Sequence, residues 1–100
     1  MKRKSRRYEA LLPARFNDGQ EVPDELLGKA VIEVMQEFNA VTFFNDAAEG
    51  YWQHEGKVFH DSPGLLVVDV SDTASNRTWM KAFKKRWKTR LKQLEIWMVI

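Results

Sequence analysis

The segment "WMKAFKKRWKTRLKQ", Trp79 to Gln93, holds large apolar residues at helical spacing in a field of lysine and arginine, with no acid. At about 100° per residue, Trp79, Met80, Phe83, Trp87, Leu91 and Leu94 share one arc, and Arg77, Lys81, Lys84, Lys85, Lys88 and Lys92 gather opposite. A helix of this kind must bury its aromatic side against another element, so the chain needs a sheet or a second helix to lay it on. The spacing predicts a helix from about Ala74 to Gln93, capped by Thr73 or Asp72.

A second helix is predicted from Pro23. Asp24 and Glu25 suit the positive end of its dipole, and Leu26, Leu27, Ala30, Val31, Val34, Met35 and Phe38 form a stripe that ends near Asn39. Around the two helices stand strand-like stretches: "YEALLPARF", "AVTFF", "LLVVDV" and "LEIWMVI". Asn17-Asp18-Gly19-Gln20 reads as a turn. "YWQHEGKVFH" reads as a hairpin turning at Glu55-Gly56, with Tyr51 opposite His60, Trp52 opposite Phe59, Gln53 opposite Val58 and His54 opposite Lys57. That register puts Trp52, His54 and Phe59 on one face and Tyr51 and His60 on the other, so the two histidines cannot share a metal. The expected class is α+β, a ferredoxin-like βαββαβ arrangement in which two helices cover one face of an antiparallel sheet and the hairpin projects beyond it.

A chain of 100 residues with 44% hydrophobic content suits one packed domain, expected over 8–100 and preceded by a basic mobile arm over 1–7. It has no cysteine, which removes disulfides, thiolate metal ligands and a thiol nucleophile. No apolar run approaches membrane-spanning length, and no signal-peptide pattern follows the charged start, so a soluble cytoplasmic protein is expected. The net charge of +2 is unevenly spread: between Glu9 and Asp72, thirteen acids stand against Arg15, Lys29 and Lys57, and the remaining bases lie at the two ends. Such segregation favours an acidic partner or attraction between two copies.

The segments "LLPARFNDGQEVPDELL", "WQHEGKVFHD", "VVDVSDTASNRTWMKAFKKRWK" and "LEIWMV" together resemble a family of small uncharacterised bacterial proteins, from Tyr8 onward. The resemblance implies the ferredoxin-like fold and brings no activity.

Chemistry-bearing patterns are sparse. His54 and His60 lack metal-binding spacing, and neither a glycine-rich phosphate loop nor a nucleophile elbow is present, so no catalytic residue, metal or cofactor is expected. Asp69, polar within an apolar strand, is expected to face outward from a half-exposed sheet. An enzyme would need a pocket with His54 or Asp69 as general base, and it ranks third. The leading expectation is a protein-interaction or regulatory module, a homodimer formed through the uncovered sheet face or the aromatic hairpin. Trp52, Phe59, Tyr51 and His54 are its interface residues, and Trp97, Phe43 and Tyr8 add to the aromatic excess. Second comes nucleic-acid binding through the arm and Lys81, Lys84, Lys85, Lys88 and Lys92. A membrane-surface role is disfavoured because the apolar arc of the basic helix is needed to cover the sheet.

Overall fold

The computed structural model describes residues 4–16, 18–45, 50–92 and 98–99, with the side chains of residues 50, 52, 54, 59, 61 and 99 outside the description. The chain is α+β. Its elements run β1 (Ser5–Leu12), α1 (Asp24–Phe38), β2 (Thr42–Phe44), β3 (Gly50–His54), β4 (Lys57–Asp61), β5 (Gly64–Ser71), α2 (Ala74–Arg90) and β6 (Met98–Val99). One antiparallel sheet has the order β2-β5-β1-β6, and β3 and β4 form a separate two-stranded ribbon.

Strand alternation decides what the sheet buries. Tyr8, Ala10 and Leu12 of β1 lie opposite Val68, Leu66 and Gly64 of β5, and all six residues are buried. The intervening pairs, Arg7 with Asp69, Glu9 with Val67 and Leu11 with Leu65, point to the other face. Ala30 and Val34 of α1 and Met80, Phe83 and Trp87 of α2 join Tyr8, Ala10, Leu66 and Val68 in one core, so both helices pack against the same side. Phe43 of β2 lies opposite Leu66 and packs on this core too, its ring so close to Gly64 that a side chain there would overlap it.

The helices form where the periodicity places them. Pro23 occupies the N-cap of α1, and Asn39 closes the helix in the left-handed conformation with φ 67, its N–H bonded to the Met35 carbonyl. The hydroxyl of Thr73 accepts from the Asn76 N–H at 3.1 Å and caps α2. Phe38, Trp79 and Phe83 pack ring on ring, with Phe38 edge-on to Trp79 at 5.0 Å and Trp79 stacked on Phe83 at 5.4 Å. The aromatics of the basic helix are core residues.

Several expectations need correction. β1 begins at Ser5, and Arg6 and Arg7 pair with Val70 and Asp69, so these residues belong to the sheet and not to a mobile arm. Tyr8 is 3% exposed and Phe43 packs inward, which removes both from the uncovered face. The parity of each strand was not fixed by its apolar content alone. Met35 lies at the edge of the α1 stripe and is 45% exposed. α2 ends at Arg90, because Lys92 turns into the left-handed region with φ 54. Leu94 and Trp97 lie outside the described residues.

Candidate association surface

The ribbon β3-β4 has the register that its turn chemistry dictates. Glu55 and Gly56 take positive φ values of 50 and 76 at the tip, and Tyr51, Trp52, Gln53 and His54 stand opposite His60, Phe59, Val58 and Lys57. One face of the ribbon therefore carries Tyr51, Gln53, Val58 and His60. Tyr51 is 66% exposed and Val58 72%, and the Tyr51 and His60 rings meet across the strands at 4.7 Å. This face bears no carboxylate. By the register the opposite face has the positions of Trp52, His54, Lys57 and Phe59; Lys57 is exposed, and the side chains of the other three lie outside the described residues.

An open groove of about 930 Å³ runs beside the base of the ribbon. α1 contributes Leu27, Gly28, Val31 and Ile32 to it, while Phe43, His60 and Ser62 come from the sheet edge and the ribbon's return. The loop before α1 adds Arg15 and Glu21, and Asp24 comes from the first turn of the helix. Ile32 is 47% exposed. Gly28, mid-helix, is unexpected there, since glycine weakens a helix by up to about 1 kcal/mol relative to alanine and a Cβ at this position would meet nothing within 4 Å.

The uncovered sheet face is less apolar than expected. Leu11, Leu65 and Val67 are half-buried and Phe44 is 52% exposed, but Glu9, Arg7 and Asp69 interrupt them. The guanidinium of Arg7 donates to both Asp69 oxygens, at 3.0 and 3.2 Å. That hydrogen bonding, with the opposite charge beside it, raises Arg7 and holds Asp69 below the ordinary carboxylate value. Asp69 is thus a paired surface acid, and its chemistry is that of a salt bridge.

On α2 the arginines and lysines divide. Arg86 and Arg90 both reach Glu33 on α1, whose Oε2 also accepts the indole N–H of Trp87 at 3.1 Å. Arg77 bonds Asp72 at 2.7 Å, and Arg6 pairs with the same carboxylate at 2.8 Å. Asp72 is held below its usual value chiefly by the hydrogen bond from Arg77. Lys81 and Lys85 are exposed and Lys88 is half-buried, while Lys92 lies over the Phe16 ring at 5.4 Å. Lys84 is half-buried on the same helix. The helix thus presents a lysine stripe without exposed stacking aromatics.

Glu33 was not singled out by sequence reasoning, and Asp72 was considered only as a cap for the basic helix, a place that Thr73 takes. The available signal was the buried Trp87 N–H, which needs an acceptor, and an acid-free helix facing an acid-rich one.

Among the described residues no group of three or more histidine, cysteine, aspartate or glutamate side chains could hold a metal, and no helix is long and apolar enough to cross a membrane. No protein-family model matches the chain, and no curated protein matches it.

Proposed function

We propose that this protein is a non-enzymatic interaction module that self-associates, with the β3-β4 ribbon as its association arm. The observation that carries this reading is a two-stranded sheet of its own whose one face leaves Tyr51 and Val58 mostly in solvent. Isolated two-stranded ribbons are marginal in water, and apolar residues on one become stable when another surface covers them.

The shape of the molecule supports a projecting arm. An eight-residue strand is about 26 Å long, and the 17 residues of α2 about 25 Å, yet the molecule extends 52 Å along its major axis. Its radius of gyration is 14.3 Å, against about 13 Å for a compact domain of this length. With the ribbon set aside, the body is a βαββαβ unit of sheet order β2-β5-β1-β6, which supports a ferredoxin-like body with the ribbon inserted between two neighbouring antiparallel strands. The charged interruptions of the uncovered sheet face make it the weaker candidate for association.

Sedimentation equilibrium from micromolar to submillimolar concentration tests the reading. The parent protein should dimerise, and Val58→Glu should shift it to monomer while leaving its denaturant midpoint nearly unchanged, since Val58 is 72% exposed. A parent that stays monomeric throughout would overturn the proposal.

A further inference from the structure

We propose that the outer face of α2 binds the phosphate backbone of double-stranded DNA without reading its sequence. This surface is separate from the ribbon, and the proposal does not rest on self-association.

The arginines and lysines of α2 keep different company. Arg86 and Arg90 meet Glu33, and Arg77 meets Asp72. The helix itself has no acid, and among the described residues no carboxylate pairs with Lys81, Lys85 or Lys88. Spaced four and three residues apart, these lysines share one face and span about 10 Å of helix axis, with half-buried Lys84 at its border. Over that length a DNA duplex presents about six phosphates, enough to match every ammonium of the stripe.

The rest of the face decides which polyanion suits it. Thr78, Ala82 and Thr89 stand exposed beside the lysines, and among the described residues no exposed large apolar side chain lies on α2. A protein partner needs apolar or aromatic anchors, and such interfaces are poor in lysine, whereas DNA interfaces are polar and strongly basic. A lipid surface takes up the apolar side of a helix, and here Met80, Phe83 and Trp87 are spent on the core. Single strands are held by stacking on exposed aromatics, yet Trp79 stacks on buried Phe83. The major groove of B-DNA admits a helix, while that of duplex RNA is too narrow and deep. Sequence goes unread because the side chains of α2 suited to base edges are engaged: Asn76 donates to the Ser71 carbonyl, and all three arginines are held by Glu33 or Asp72. What remains is lysine, which meets a phosphate as a point charge.

Fluorescence anisotropy with a labelled DNA duplex of about 20 base pairs, from low salt to about 200 mM, tests the proposal. The parent should bind two duplexes of unrelated sequence equally, and its log affinity should fall with log salt at a slope of about −3 to −4. The double variant Lys81→Gln with Lys85→Gln, at two exposed positions, should lower that slope by about two and weaken binding at low salt by about tenfold or more. Its denaturant midpoint should stay that of the parent, since glutamine and lysine have similar helix propensity. Lys57→Gln, exposed on the ribbon, should leave the slope unchanged. No anisotropy change at low salt would overturn the proposal, as would an equal loss on Lys57→Gln, which would mean net charge and not the stripe. Unlabelled polyglutamate, duplex RNA or phosphatidylserine vesicles that compete as well as unlabelled DNA would show that DNA is the wrong occupant.

Discussion

Glu33 shows how one side chain fixes the relation between two helices. It stands on α1, 26% exposed, and takes Arg86, Arg90 and the N–H of Trp87, the largest fully buried side chain of the core. The two arginines are partly solvated, so their attraction is modest. The indole contact matters more, because an N–H left in a closed core without an acceptor carries a desolvation cost. Glu33→Ala should lower stability by about 2 kcal/mol, and Glu33→Gln, which keeps an acceptor, by clearly less. Urea unfolding followed by tryptophan fluorescence measures both, and equal losses would show that the indole bond is not the main term. The helical spacing placed Trp87 in the core correctly. It could not show which acid would meet its nitrogen, because the partner lies 54 residues away and the choice depends on how the helices pack.

Among the elements, those whose pattern has a single solution were legible. The stripes of α1 and α2, the Thr73 cap and the ribbon register around Glu55-Gly56 all follow from local chemistry. Strand facing was legible at one point and missed at others: in "LLVVDV" Asp69 faces outward as expected, and with it Leu65 and Val67 turn away from the helices while Leu66, Val68 and Val70 turn toward them, whereas Tyr8 and Phe43, expected on the uncovered face, turn inward. The pairing with β1, where Arg7 stands opposite Asp69, keeps the same parity. At the end of this strand Asp72 ties β1 to the start of α2 through Arg6 and Arg77. Its carboxyl titrates below the ordinary value when folded, so its contribution is complete above the ordinary carboxylate range and is lost as pH falls through about 4 and below. Unfolding midpoints of Asp72→Asn and the parent should therefore differ most at neutral pH and draw together as pH falls below the ordinary carboxylate range. A difference that persisted unchanged below that range would mean that the charge of Asp72 is not what joins these elements.

At the scale of the whole molecule, the ribbon can be separated from the body by argument and then by deletion. β2 and β5 are antiparallel neighbours, with Phe44 opposite Leu65, so the chain leaves the sheet after Asn45 and returns at Gly64 beside its own exit. Joining Asn45 directly to Gly64 by deleting 46–63 leaves the sequence Phe44-Asn45-Gly64-Leu65. Asn-Gly between two paired residues is the favoured two-residue hairpin turn, because both positions tolerate positive φ. Among the described residues, the shortened chain keeps the whole buried cluster, including Tyr8, Leu66, Phe83 and Trp87. It should unfold cooperatively, give a radius of gyration near the value of about 13 Å for a compact domain, and remain monomeric where the parent dimerises. A deletion variant that still dimerised would move association to the uncovered sheet face around Phe44. One that failed to unfold cooperatively would show that the ribbon belongs to the body's packing, and its reading as a separable arm would fall.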